Sequence, residues 1–154
     1  MNLDLNKQTP EELRILALDF ERLGDYESSI KCLYQAAQAG SAMAYIDLTY
    51  YIKYPVNLEL SKETLSIVDP NKFGLYIDAA IELGSVDAIF YKAREQFMGD
   101  GFIPYDFKSA LELFNHLATL EYDPYDVFDD DWTVQDYIVA TKEMINRSKR
   151  KRRY

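Results

Sequence analysis

The sequence contains a single cysteine, Cys32, and a single histidine, His116. One thiol cannot form an intrachain disulfide, and one thiol with one imidazole cannot complete a typical zinc site. His116 is predicted at the exposed edge of a helix, and Cys32 beside a core position as a structural or half-exposed thiol. Although the chain has 26 acids, no pair of carboxylates stands out for acid–base catalysis. We therefore expect a protein that is not an enzyme and needs no cofactor or metal.

Long apolar runs are also missing, since none approaches the roughly 18 residues that a membrane-spanning helix needs. The start, MNLDLNKQTPEELR, lacks the basic and then apolar order of a secretory signal, which predicts a cytoplasmic protein. Hydrophobic residues make up 48% of the chain, which excludes a disordered protein. We predict a single helical-repeat domain over residues 1–146 and a basic C-terminal tail at 147–154.

Charge is unevenly distributed along the chain. The formal net charge is −9, yet the last eight residues, RSKRKRRY, hold six of the 17 bases and no acid. The remaining 11 bases face 26 acids, a net charge of −15. Such a body attracts basic partners and repels nucleic acid, whereas the tail has the opposite preference or is simply a frayed, solvated terminus.

Helix signals recur along the chain with little strand signal between them. Seven helices are predicted, each behind a residue that can cap its first turn: Thr9, Asp25, Ser41, Asp69, Ser85, Asp106 and Thr133. Glycines end several of them, as at Gly24, Gly40 and Gly84. Residues 55–69, PVNLELSKETLSIVD, are open to interpretation as a loop, a short helix, or both.

The helix joins repeat. AAQAGSAMA at 36–44 aligns with AIELGSVDA at 80–88, and ATLEYDPYD at 118–126 is a weaker third copy. Alanines at a helix crossing let backbones approach closely, and the glycine supplies a left-handed turn. Two helices per period of this length predict a stacked helical array.

These motifs resemble Sel-one-like repeats, which are related to tetratricopeptide repeats. The resemblance covers about residues 13–122 and rests on two sets of positions: Ala36, Ala37, Gly40 and Ala44 at a join, and Gly99, Gly101, Asp106, Phe107 and Ala110 at a loop. It implies an all-α fold, a short α-α superhelix of about three helical hairpins plus a C-terminal helix. Three departures stand out, of which one is Lys92, at a position where the family has an apolar residue. Residues 55–69 replace the expected glycine loop, and Tyr122 stands where the join glycine should be.

The loop MGDGFIPYDF at 98–107 contains several residues typical of turns. We predict that Gly99 and Gly101 adopt positive φ, that Pro104 stiffens the approach, and that Asp106 caps the next helix. The lysine and glycine spacing of a phosphate-binding loop is absent. The turn is therefore expected to build the scaffold and to bind nothing.

Two aromatic segments are candidate partner-binding surfaces. The segment EYDPYDVFDDDW at 121–132 has six acids and four aromatic residues among its twelve. It is either a solvated linker packed on the last helices, a recognition surface, or a calcium site of three adjacent aspartates, although an EF-hand spacing is absent. The predicted partner-binding residues here are Tyr122, Asp123, Tyr125, Asp126, Asp129, Asp130, Asp131 and Trp132.

The other segment, YIDLTYYIKY at 45–54, holds four of the 13 tyrosines. Most of these rings are expected to fill the core, while Tyr50, Tyr51 or Tyr54 could project into a partner groove.

The function predicted from these features is a non-catalytic adaptor that presents an acidic, aromatic surface to a basic protein partner. A sharper version is an immunity protein that neutralises a basic toxin such as a nuclease. The alternative is attachment to nucleic acid or another anionic surface through residues 147–154. In a further hypothesis, this tail folds back on residues 121–132 and competes with the partner.

Overall fold

The structure, a computed structural model, describes residues 7–128 and 130–153, apart from the side chain of Val127. Every regular element in these ranges is helical, which confirms the all-α prediction. The α-helices are α1 (Pro10–Arg22), α2 (Tyr26–Gln38), α3 (Ala42–Lys53), α4 (Lys62–Ile67), α5 (Phe73–Glu82), α6 (Val86–Met98), α7 (Phe107–Thr119), α8 (Tyr125–Phe128) and α9 (Val134–Lys151). The seven with ten residues or more are the seven predicted helices.

Predicted caps are present where these helices begin. The side chains of Thr9, Asp25, Ser41, Asp106 and Thr133 each accept a hydrogen bond from the backbone N–H three residues ahead, at 3.0–3.2 Å. Such bonds satisfy amides that the first helical turn leaves unpaired. Asp69 instead caps a 3₁₀ turn, Pro70–Lys72, which leads into α5.

The chain divides into two compact units, Met1–Ser85 and Val86–Tyr154, a division that the sequence patterns did not indicate. In the first unit α2 packs against α1 and α3, and α3 packs against α5. The join alanines Ala36, Ala44 and Ala80 are fully buried, as close helix crossings require. In this unit the predicted helical hairpins are therefore built as the repeat pattern indicates.

The open question about residues 55–69 is resolved by Glu27 of α2. Its carboxylate accepts hydrogen bonds from the Ser61 backbone N–H at 2.6 Å, from the Ser61 hydroxyl at 3.0 Å and from the Thr64 hydroxyl. Ser61 also caps α4. The segment is thus both a loop and a short helix. Glu27 of α2 binds Ser61 and Thr64, where the loop ends and α4 begins.

In the second unit α7 packs against both α6 and α9, and Phe90 of α6 lies at the centre of the core. Its ring centroid lies 5.3–6.3 Å from those of Phe114, Tyr122, Phe128 and Tyr137. Aromatic pairs in this range add stabilisation beyond buried area. The acidic segment at 121–132 therefore contributes rings to the core as well as charge to the surface.

Helices α2, α5 and α7 end in the same hydrogen-bonded turn. Gly40, Gly84 and Glu121 each adopt positive φ, and the next residue's N–H bonds to a carbonyl five residues back in every case. The prediction that Tyr122 occupies the position of the join glycine is wrong, because the left-handed residue is Glu121, with φ 53°. Since α7 ends one residue earlier than the aligned letters suggest, Tyr122 is free to enter the core.

The loop between α6 and α7 has the predicted backbone. Gly99 and Gly101 have φ 65° and 92°, and Asp106 caps α7. A Cβ at Gly99 would lie 2.0 Å from the ring of Tyr105, whereas a Cβ at Gly101 would meet nothing within 4 Å.

Candidate functional site

A cleft of about 490 Å³ opens in the second unit beside the acidic segment. Its walls come from α6, from the end of α8, from the connection before α9, and from α9. The lining residues are Arg94, Phe97, Met98, Phe128, Asp130, Asp131, Trp132 and Tyr137. Aromatic rings and carboxylates therefore meet in one concavity, which makes it the candidate site of this unit.

One wall of the cleft holds an internal cation, Arg94. Its guanidinium carbon lies 5.1 Å from the ring centroid of Phe128 and 5.4–5.6 Å from those of Tyr91 and Phe90. Its Nη1 lies 3.7 Å from Asp130 Oδ2. This wall therefore binds a guanidinium through ring faces and a carboxylate.

Asp130 is held by the fold. It accepts a hydrogen bond from the Tyr137 hydroxyl, and its other oxygen accepts one from the Trp132 backbone N–H at 2.9 Å. Burial, with the bond to Asp130, raises the pKa of Tyr137 well above its usual range. Asp130 thus anchors the segment and neutralises Arg94, and its carboxylate is largely occupied.

Trp132 and Asp131 are the exposed part of the same cleft. Trp132 is 45% exposed, although its ring centroid lies 5.1 Å from that of Tyr137 and 6.4 Å from that of Phe97. Asp131 is exposed beside it. The ring is therefore packed on one side against Tyr137 and Phe97, while part of it is open to solvent.

The remaining predicted residues of 121–132 fall into three groups. Tyr122 faces inward, because its hydroxyl donates to Asp87 Oδ1 at 2.6 Å and its ring packs on Phe90. Asp123, Tyr125 and Asp126 are exposed, and Asp123 also accepts a bond from the Tyr125 N–H. Asp129 lies outside the described residues, so the candidate calcium trio cannot be placed as a set.

The first unit has a tyrosine-lined cleft of its own, of about 350 Å³. Tyr50 and Tyr54 are 40% and 63% exposed, and their rings stack with centroids 6.4 Å apart. Tyr51 and Tyr45 are instead partly buried, the former bonding Ser29 at 3.3 Å. The three groove candidates, Tyr50, Tyr51 and Tyr54, all line this cleft, although Tyr51 is partly buried.

An ion pair lies beside this tyrosine cleft. Arg14 Nε donates to Asp47 Oδ2 at 2.6 Å, and both side chains are about one-fifth exposed. Burial raises the pKa of Asp47, although Arg14 opposes this. As with Arg94 and Asp130, one carboxylate beside the aromatic rings is already neutralised by the protein itself.

Two residues with potential chemistry occupy ordinary positions. His116 is exposed on α7, as predicted. Cys32 is 4% exposed, and burial raises the pKa of its thiol. Among the described residues no group of three acids, histidines or cysteines is arranged to hold a metal ion. In the same ranges no helix has both the length and the apolar character to cross a bilayer.

The basic C-terminal residues lie on a helix. α9 runs without a break to Lys151, so four of the bases, Arg147, Lys149, Arg150 and Lys151, are helical, while Arg152 and Arg153 follow in a turn. The helix rises about 20 Å between Val134 and Arg147. That rise separates the bases from the start of α9, and the hypothesis that they fold back on residues 121–132 stays a prediction.

The end of α9 instead borders a third cleft, of about 340 Å³, at the start of α7. Lys108, Ser148, Lys149 and Arg152 line it together with Asp106, Phe107 and Ile145. Its three cations and one acid make it the basic counterpart of the aromatic cleft.

Arg94, Phe97 and Met98 of the aromatic cleft were missed from the sequence. They lie on α6, more than 30 positions before Asp130, and no local pattern connects the two segments. The one available signal was Arg94 itself, a cation within the aromatic-rich run FYKAREQF, which calls for a counter-ion.

Comparisons with protein-family models, curated proteins and solved structures found no significant match to this chain.

Proposed function

We propose that this protein is a non-catalytic interaction module that presents an acidic, aromatic surface to a basic protein partner. The observation that carries the proposal is the aromatic cleft, where the half-exposed ring of Trp132 adjoins the exposed carboxylate of Asp131. Tryptophan is among the residues that contribute most to binding energy at interfaces, and a rigidly packed ring loses little entropy on binding.

Electrostatics supports the same partner. Outside the last eight residues the chain carries a net charge of −15, and Asp123, Asp126 and Asp131 keep the segment around the cleft acidic. A potential of this sign steers basic proteins toward the surface and speeds their capture at low salt.

A narrower proposal concerns the biological role. A small, strongly acidic chain suits an immunity protein that neutralises a basic toxin such as a nuclease, since charge steering favours rapid capture.

We further propose that the helical hairpins are Sel-one-like repeats. We place the protein in the cytoplasm, where its one free thiol, Cys32, would stay reduced.

The experiment is an affinity capture from the native cell lysate at low and at high salt, with mass-spectrometric identification. The test variant is the double substitution Asp126→Asn with Asp131→Asn. The control is Glu12→Gln with Glu112→Gln, which removes two exposed acids on α1 and α7. We expect a basic protein that is retained at low salt, reduced at high salt, and lost only with the test variant. Equal retention by both variants would exclude the acidic segment as the binding surface.

A second candidate function is attachment to nucleic acid through the basic cleft. Lys108, Lys149 and Arg152 converge there, which suits binding to phosphates. The substitutions Lys149→Gln and Arg152→Gln should then abolish retention on a duplex DNA column, while Lys142→Gln and Lys62→Gln, exposed lysines outside the cleft, should not. Capture of a basic protein that is unaffected by the first pair would favour the main proposal.

A further inference from the structure

The aromatic cleft of the second unit offers a more specific binding chemistry than general attraction between charges. We propose that it receives an arginine side chain of the basic partner, with the guanidinium stacked on Trp132 and paired with Asp131. This inference rests on the proposed function and names the group that the partner presents.

The first argument is charge balance within the cleft. Of its lining residues, Asp130 and Asp131 are acidic and Arg94 is the single base. Asp130 is already engaged by Arg94, Tyr137 and the Trp132 backbone, so the negative charge of Asp131 is left over. A cation from outside the protein completes the balance.

The second argument comes from the inner wall. Arg94 shows that this part of the fold binds a guanidinium between ring faces and a carboxylate, with three rings within 5.6 Å. At the open side Trp132 and Asp131 offer the same two features, a ring and a carboxylate. We infer that the outer site repeats the inner one, with the partner supplying the guanidinium.

The third argument selects arginine over lysine. A guanidinium is planar and weakly hydrated, so it stacks on an indole while donating two hydrogen bonds to a carboxylate. An ammonium ion is more strongly hydrated and cannot form this planar pair. The chemistry of Trp132 with Asp131 therefore favours arginine.

The single tryptophan of the chain makes the site directly measurable, because all indole fluorescence comes from Trp132. The full-length protein is titrated with a blocked peptide that alternates arginine with glycine, and with the matching lysine peptide. We expect a saturable fluorescence change with the arginine peptide and binding that is several-fold weaker with the lysine peptide. Isothermal calorimetry repeats the titration with Trp132→Ala, for which no saturable binding is expected.

Two acid variants separate the cleft from its surroundings. Asp131→Asn keeps one acceptor oxygen but loses the charge and the second acceptor, so it should weaken binding of the arginine peptide by about tenfold, the loss expected for one of the two charge-assisted hydrogen bonds. Asp126→Asn removes the same charge from the same segment outside the cleft and should change binding by less than about twofold. Equal effects of the two variants, or equal binding of the two peptides, would overturn the inference and leave only unspecific attraction between charges.

A competing occupant is a second copy of this chain, because its own C-terminal residues carry four arginines. Sedimentation of the protein and of a variant that ends at residue 146 distinguishes this case. Self-association that disappears with truncation and with Asp131→Asn would assign the cleft to a second copy and overturn the proposed partner. Failure of the peptide to bind, with salt-dependent capture of a basic protein intact, would overturn the arginine site alone.

Discussion

The Tyr137 hydroxyl donates a hydrogen bond to the carboxylate of Asp130, so helix α9 holds the acidic segment from inside the fold. Asp130 in turn lies 3.7 Å from Arg94 and accepts the backbone N–H of Trp132. The position of the exposed indole therefore depends on the buried phenol of Tyr137, three positions after the start of α9 at Val134.

The first prediction is that Tyr137→Phe destabilises the protein by about 1–2 kcal/mol, because Asp130 loses a partly buried hydrogen bond. The emission of Trp132 should shift to longer wavelength, since its anchor is loosened. Urea unfolding and fluorescence measure the two effects. Tyr125→Phe is the matched control, since Tyr125 is 59% exposed and should leave both quantities unchanged.

The second prediction concerns alkaline pH and Tyr76 in the first unit. Its hydroxyl donates to the Ile67 carbonyl at 2.6 Å, and burial raises the pKa of Tyr76 from 10.0 to about 12. The folded state favours the neutral phenol of Tyr76. The contribution of Tyr76 to the free energy of unfolding is therefore complete below pH 10 and is lost as pH rises toward about 12.

Between pH 10 and about 12, the free energy of unfolding should therefore fall by up to about 2 kcal/mol less in Tyr76→Phe than in the unsubstituted protein. Urea unfolding over a pH series measures it. Tyr54→Phe, at an exposed ring, should leave the decline as in the unsubstituted protein. An identical decline in the Tyr76 variant would show that Tyr76 does not titrate in this range.

The third prediction is that Glu27→Gln destabilises the first unit by about 1 kcal/mol, after allowance for solvent screening. Hydrogen bonds from Thr64 and Ser61 lower the pKa of Glu27 below its usual 4.5. The stabilisation is therefore present above pH 4.5 and is lost as pH falls through the lowered pKa.

Thermal unfolding at neutral and acidic pH tests this, and the two proteins should converge at acidic pH. Glu63→Gln provides the control. Its carboxylate is 77% exposed and lies 3.8 Å from Lys31, an ion pair of the kind that contributes little. A loss of stability as large as that of Glu27→Gln would show that general charge, and not the anchoring of α4, is responsible.

The fourth prediction is that Glu121→Gly stabilises the second unit by about 1 kcal/mol, since a side chain at φ 53° is strained and glycine is not. Leu120→Gly, one residue earlier at φ −92°, should destabilise it. Urea unfolding compares the two. If Glu121→Gly does not stabilise the unit, the turn tolerates glutamate without strain.

The sequence predicted what is decided locally. Helix starts such as Thr9 and Asp106 depend on a side chain and an amide three residues apart, and both were placed correctly. The ends at Gly40 and Gly84 follow from the one residue that favours positive φ. The all-α class follows from these signals together with the apolar spacing.

What the sequence did not predict is decided by contacts between distant positions. Glu27 meets Thr64 across 37 positions and Arg94 meets Asp130 across 36, with no local pattern to connect them. At the end of α7 the left-handed residue is Glu121, although no glycine marks the turn. The sequence alignment therefore assigned the turn position to Tyr122, one residue too late. The sequence does not distinguish the exposed Asp131 from Asp130, which anchors the segment. The two differ only in their contacts in the folded protein.

The loop between α6 and α7 uses its two glycines under different constraints. At Gly101 the restriction is conformational alone, so asparagine or aspartate, which enter the left-handed region most readily, should be accepted there. At Gly99 the ring of Tyr105 also fills the space that any side chain would need. In a library of random substitutions, position 99 would be nearly invariant and position 101 permissive, and replacing Tyr105 with a small residue would ease the restriction at 99 only in part.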